Sequence, residues 1–277
     1  MNEIVIGKKI ADGRREKGYS QSEFAAELSV SPQAVSKWER GESLPDIIML
    51  EKIADLIGVD MNHFSDKETA QKKEANVKKG KNMSFAQWKD ADFSGLNNLD
   101  GKMSGANIER CKFVGADLRN IVFKANNLEN NDFTSARMNG CKFVMANVEK
   151  SNFAGAKLIE TEWKSSNIDK NDFTNADLSN STFKTCNFDE NIVAGTVFSG
   201  VIFNKCEIKK IIFGGEISDC QFVYCGYRKA EFIGVTFKNV FFKGKIKGAK
   251  FTDCSADKIS YEFLKNSGVD MSKIVES

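Results

Sequence analysis

The sequence predicts a multidomain α + β chain: an all-α domain of five helices over residues 1–65, followed by a square β-coil over residues 83–261. Three observations carry this. Apolar residues in the first 65 positions recur at helical spacing between clear start and stop signals. From Met83 onward they recur every five positions, a period that neither a helix nor a flat strand supports. The chain also holds 22 Phe against 11 Leu, an inversion of ordinary usage, and 17 of those Phe fall on the five-residue register.

The helical elements read in order. Residues 6–18 form the first helix. Residues 20–28 open on Ser20 with Glu23 three positions later, a capping box. Ser31 and Pro32 start a third helix that Gly41 ends, with Pro at the first helical position, where its missing N–H costs nothing. Pro45 and Asp46 introduce a fourth over 47–57. The short turn from Ser29 to Ser31 between helices two and three is what a helix-turn-helix needs. Trp38 and Val35 are expected in the core, and His63, the single histidine, at a cap or on the surface.

Residues 66–82 hold six Lys against three acids and no aromatic residue, the composition of a linker or solvated helix. The five-residue register then runs from Met83 through Phe93, Phe113, Phe123, Phe133 and Phe143 to Phe213. It loses one residue at Gly214–Gly215, resumes at Ile217, slips again after Phe242, and ends at Tyr261. Of its 37 centres only Asn98 is polar. A chain that turns a corner every five residues points each centre inward, and four corners close a coil of about twenty residues. Nine such coils at about 4.8 Å each make a rod on the order of 43 Å long. The position two before each centre also faces inward and should be small. It holds Ala86, Ala91, Ala116 and Ala136 among others, and all seven cysteines: Cys111, Cys141, Cys186, Cys206, Cys220, Cys225 and Cys254. Cys in that slot reads as a compact buried hydrophobe; neither zinc-site spacing nor an even disulfide count is present. Residues 262–277 leave the register, and Phe263, Leu264, Val269 and Ile274 suggest a capping helix or dimerisation segment.

The triplets Ala91-Asp92-Phe93, Ala116-Asp117-Leu118 and Ala176-Asp177-Leu178 closely resemble the pentapeptide-repeat family. That resemblance implies a right-handed quadrilateral β-helix whose coils touch only their neighbours, with a dedicated cap and, in several members, dimerisation through the C-terminal segment. Asn98 and the two slips depart from the pattern and predict local bulges or missing corners.

The stretch from Ser20-Gln21 through Ser31-Pro32-Gln33-Ala34-Val35-Ser36-Lys37-Trp38-Glu39-Arg40-Gly41 is similar to the phage-repressor-like (Cro/Xre) helix-turn-helix family, over nearly all of residues 4–64. The resemblance implies that residues 31–40 enter the DNA major groove. It places Pro32, Gln33, Ser36 and Lys37 toward the bases, where Gln33 can pair with adenine and Lys37 can donate to guanine. It places Gln21, Ser31 and Arg40 at phosphate-contacting positions, and makes Arg14 and Glu39 an ion pair tying the first helix to the third. Gly13 stands where the family buries an aliphatic residue, and Ser29 replaces the usual turn glycine.

The formal net charge of +2 hides an uneven distribution. Residues 1–66 carry −4, and residues 201–260 carry +5. The leading function is a sequence-specific transcriptional regulator that binds double-stranded operator DNA as a homodimer, with the rod as dimeriser, sensor or partner platform. A DNA mimic directed at gyrase is the alternative, although residues 81–277 carry 27 basic against 24 acidic residues and a mimic should be acidic. A rod serving only as an interaction surface is a third reading, with Ile192 and Ile212 outward on one face and Ile202 and Phe241 on another. No enzyme activity, cofactor or metal is expected, because nothing pairs a nucleophile with a base. With no run near eighteen apolar residues and no basic-then-apolar leader, a cytoplasmic, non-membrane protein is expected.

Overall fold

The computed structural model describes residues 3–64, 84–96 and 102–277. The charged linker expected at 66–82 and the polar centre Asn98 lie outside the described residues.

The head consists of α1 (Glu3–Glu16), α2 (Gln21–Glu27), α3 (Pro32–Arg40), α4 (Ile47–Ile57) and a one-turn 3-10 helix at Met61–Phe64. Polar caps set three of the starts. Ser20 Oγ accepts from the Glu23 amide at 3.2 Å while Glu23 Oε2 accepts from the Ser20 amide at 2.8 Å. Ser31 Oγ accepts from the Ala34 amide at 3.2 Å, and Asp46 accepts from the Met49 amide at 2.7 Å. Each cap satisfies an amide that the first helical turn leaves without a partner. Ile6, Ile10, Phe24, Val35, Trp38, Leu50, Ile53 and Phe64 form the buried centre. Two glycines explain how tightly α1 sits. A Cβ on Gly7 would lie 2.2 Å from the Trp38 carbonyl oxygen, so α1 crosses the end of α3 at backbone contact. A Cβ on Gly13 would lie 2.5 Å from Ile57 Cδ1. The aliphatic group missing from α1 is thus supplied by α4. Ser29 takes the left-handed backbone, φ 57°, that glycine more often occupies in this turn.

The rod is a quadrilateral β-solenoid of about nine turns, and among the described residues its strands pair in parallel. The first face carries Phe93, Phe113, Phe133, Phe153 and Phe173, and the second Leu118, Met138, Leu158 and Leu178. The third carries Phe123, Phe143, Trp163 and Phe183, and the fourth Trp88, Ile108, Leu128 and Val148; all are buried. The third and fourth faces are continuous eight-stranded ladders. The first two are joined by single bridges as far as Asp172–Ile192 and Asp177–Val197. Rings stack at the spacing of the coils: Phe93–Phe113 at 4.8 Å and 4°, Phe113–Phe133 at 4.9 Å, Phe153–Phe173 at 5.0 Å. At the corners, the residue two after each centre turns left-handed, including Met145 (φ 52°), Thr185 (φ 55°) and Tyr224 (φ 52°).

The small inward slot has a second role. Many of its side chains donate to the carbonyl of the preceding face's centre, one coil earlier. Asn131 donates to Ile108 O, Ser166 to Phe143 O, Asn171 to Val148 O, Ser181 to Leu158 O and Thr196 to Phe173 O. Cysteines do the same: Cys141 to Leu118 O at 2.9 Å, Cys206 to Phe183 O at 3.3 Å and Cys254 to Phe232 O at 3.3 Å. Where the slot holds such a side chain, it satisfies a carbonyl as well as filling a small volume, and a buried carbonyl without a partner is costly. Asn126 departs from this: both its side-chain polar atoms are buried without a partner.

Two expectations need correction. Tyr261 is not a repeat centre. The coils end at Ala256, and α5 (Lys258–Asn266) starts earlier than residue 262, because Asp257 caps it by accepting from the Ser260 amide at 2.8 Å. Ser260 in turn accepts from the Val240 amide, so the helix completes the ladder it covers. The chain then returns as a strand, Ile274–Glu276, paired with Cys254–Ala256. Nor do Ile192 and Ile212 continue one ladder. No backbone hydrogen bond joins residues 191–195 to residues 211–215, all of them described, and the first face restarts as a separate three-stranded sheet at Ile212. The residue lost at Gly214–Gly215 shifts the register there. It leaves a cleft of about 450 Å³ lined by Gly195, Val197, Ser199, Gly214, Gly215 and Glu216, flanked by Ile192 and Ile212 at 54% and 61% exposure.

Candidate nucleic-acid interface

The exposed side of α3 follows from its buried side. Val35 and Trp38 turn into the head, so positions 33, 36, 37 and 40, spaced as one helix face, turn away from it. Pro32, Gln33, Lys37 and Arg40 are exposed, and Ser36 is half-buried. Ser31 stands exposed at the helix start, its oxygen engaged by the Ala34 amide.

Behind this face a polar knot fixes α2 and α3 against α1. Arg14 Nε donates to Glu39 Oε1 at 2.5 Å, and its Nη2 to Oε2 at 3.1 Å. Arg14 Nη1 donates to the Tyr19 carbonyl at 2.5 Å. The side chains of this pair are 9% and 6% exposed. Gln21 Nε2 donates to the same Glu39 Oε2 at 2.7 Å, so this residue, placed by resemblance at a phosphate contact, is also tied to the knot. Burial pushes the Glu39 carboxyl up, but hydrogen bonds from Arg14 and Gln21 outweigh it and hold the group below the usual glutamate range.

Arg40, the last residue of α3, is engaged in the same way at the same end of the helix. Its Nε donates to Glu42 Oε1 at 2.6 Å, its Nη2 to Glu42 Oε2 at 3.0 Å, and its Nη1 to Ser36 Oγ. Sequence reasoning missed Glu42 and the Gln21–Glu39 bond. Gly41 carried a signal for the first: its left-handed backbone (φ 69°) and the Glu42 amide bonded to Lys37 O at 3.0 Å close a Schellman turn that brings residue 42 back over the helix end.

Among the described residues no group of His, Cys, Asp and Glu is arranged to hold a metal ion. All seven thiols are buried, and burial pushes Cys111, Cys141 and Cys220 up to about 12. His63 lies edge-on to Phe64 at 5.2 Å, with burial and Lys9 holding its imidazole below the usual range. Among the described residues no helix is long and apolar enough to cross a membrane. On the rod, the fourth face stacks Glu109, Glu129, Glu149, Asp169 and Asp189 in register, beside the Asn107–Asn127–Asn147–Asn167–Asn187 ladder. Several of these carboxylates meet neighbouring cations, as in Lys150–Glu149 at 2.9 Å and Lys170–Asp169 at 2.9 Å.

Comparisons with known proteins match two separate stretches of the chain. Residues 10–64 match the family model described as helix-turn-helix. Residues 102–140 and 146–184 match that described as pentapeptide repeats, in eight copies. The chain is 37% identical over 57 residues to a putative multi-protein-binding factor 1 of Yarrowia lipolytica, covering 21% of this chain and 38% of that protein. It is 29% identical over 91 residues to the HTH-type transcriptional regulator ImmR of Bacillus subtilis, covering 32% of this chain and 72% of that one. Among solved structures, QnrB1, a plasmid-mediated fluoroquinolone resistance protein, aligns at 18% identity over 71% of this chain and 93% of its own, with a TM-score of 0.31.

Proposed function

We propose, for a chain that belongs to the Cro/Xre-type helix-turn-helix proteins by its head and to the pentapeptide-repeat proteins by its rod, that it is a sequence-specific transcriptional regulator of operator DNA. The observation that carries this reading is the free face of α3: Gln33, Ser36, Lys37 and Arg40 lie together on one exposed side of a helix whose other side is locked into the head. In this reading Pro32, Gln33, Ser36 and Lys37 read base edges, and Gln21, Ser31 and Arg40 hold phosphates. Arg14 and Glu39 tie α1 to α3, and Gln21 ties α2 to the same pair. The protein acts as a homodimer in the cytoplasm, on two half-sites, with the rod joining the heads or receiving a partner. Selection of binding sites from a random duplex pool tests it. A palindromic motif should emerge, and Gln33→Ala should cost about 1–3 kcal/mol of discrimination at one base pair while Gln21→Ala weakens all sequences alike. Failure to enrich any sequence would sink the proposal.

The carboxylate ladder on the fourth face favours a second reading, a DNA mimic for gyrase. Inhibition of gyrase supercoiling by the full chain, lost when Glu129, Glu149 and Asp169 are changed to their amides, would support it. Unchanged supercoiling would remove it.

A further inference from the structure

Glu42 is placed as a phosphate would be. The Schellman turn at Gly41 folds the chain so that the carboxylate of Glu42 meets the guanidinium of Arg40 with two parallel bonds, at 2.6 and 3.0 Å. Paired bonds of this kind are how arginine grips carboxylate and phosphate alike. The remaining guanidinium nitrogen donates to Ser36 Oγ, on the face offered to bases. Glu42 also feels the charge of Lys37. One acid thus holds Arg40 by contact and acts on Lys37 by charge, and both members of the pair stand in solvent, at 54% and 51% side-chain exposure, where exchange of partners is cheap.

We infer that Glu42 is a resident phosphate surrogate: it occupies the fork of Arg40 in the free protein and must yield it when DNA backbone arrives. This rests on the DNA-binding reading. The carboxylate lowers affinity for all duplexes, because each binding event exchanges one ion pair for another instead of adding one. It also keeps Arg40, whose third nitrogen holds Ser36, in a single arrangement until a phosphate takes the carboxylate's place.

The test is a double-mutant cycle on the full chain with Glu42→Gln, Arg40→Gln and the double variant. Binding is measured to a 30-bp random-sequence duplex and to the duplex selected from the random pool, over a salt series. Glu42→Gln should bind both duplexes about two- to five-fold more tightly, the range that an exposed ion pair supports. Its salt slope should steepen by up to about 0.9, the effect of one further phosphate contact. In the Arg40→Gln background the same change should do nothing. Equal affinity for Glu42→Gln and the unaltered protein overturns the inference. So does a gain that persists without Arg40, since the carboxylate then acts only by general repulsion. The Arg40 Nε–H resonance of the free protein separates this from the parent reading. It should be protected from exchange in the unaltered protein and lose that protection in Glu42→Gln. Protection without any DNA binding would fail the regulator and leave the clamp. DNA binding without protection would do the reverse.

Discussion

The head and the rod stabilise themselves in opposite ways. The head uses features that occur once: the Ser20 box, the Asp46 cap, the backbone crossing at Gly7, and the knot of Arg14, Glu39 and Gln21. The rod uses few devices many times: a ring on a ring, a slot donor on a centre carbonyl, a left-handed corner. A position in the head is therefore irreplaceable in a way that a position in the rod is not, and damage should spread differently in each. In the rod each coil meets only its neighbours, so loss stays near its origin. In the head α1, α2 and α3 share one ion pair, so loss reaches all three.

The sharpest test removes a ring. Phe143→Ala, between Phe123 at 4.8 Å and Trp163, should cost about 3–5 kcal/mol. Hydrogen exchange should rise in the adjoining coils and stay unchanged in α1–α4; an equal rise in the head would break the contrast. Next is Glu39→Ala, which leaves Arg14 buried without its partner and should destabilise the head by about 3 kcal/mol, read as a shift of the head transition in urea alone. The sign with pH follows from the depressed carboxyl of Glu39. Its stabilisation is complete above the ordinary glutamate range and is lost as pH falls through its lowered folded value. The unaltered head should therefore lose more stability on acidification than Glu39→Ala does. Asn171→Ala should cost about 1–3 kcal/mol, since it strips partners from Val148 O and the Ser151 amide; Asn171→Ser, which keeps a donor, should recover part of that in thermal melts. The smallest effect has the opposite direction: Met145→Gly, at φ 52° on an exposed corner, should stabilise the rod by up to about 1 kcal/mol.

Much of this was legible in the sequence, and the reason differs between regions. Periodicity exposes the rod because each centre repeats one environment, so Phe93 to Phe173 declare one another. The three caps and the α3 boundary were legible because Ser20, Ser31, Asp46 and Gly41 act within three residues of their own positions. Contacts across elements were not, apart from the Arg14–Glu39 pair that the family resemblance supplied. The Gln21–Glu39 bond and the filling of Gly13 by Ile57 depend on how α1, α2, α3 and α4 meet, which no local pattern encodes. The slot showed its size but not its chemistry, because alanine, which cannot donate, is as common there as cysteine or asparagine. The corners were hidden for another reason: Met145, Thr185 and Tyr224 are not residues that advertise a left-handed backbone. The loss at Gly214–Gly215 was visible as a slip, yet only the folded coils reveal that it severs one face.

That severed face gives the rod a direction. A tube slit on one side yields most readily to loads that spread the slit, and far less to loads across the three walls that remain joined. Between the coils at 191–195 and 211–215 the second, third and fourth faces carry continuous pairing, through Phe198–Ile217, Phe183–Phe203 and Phe188–Ile208, while the first carries none. A pull along the rod is thereby turned, at that coil, into bending that opens the slit.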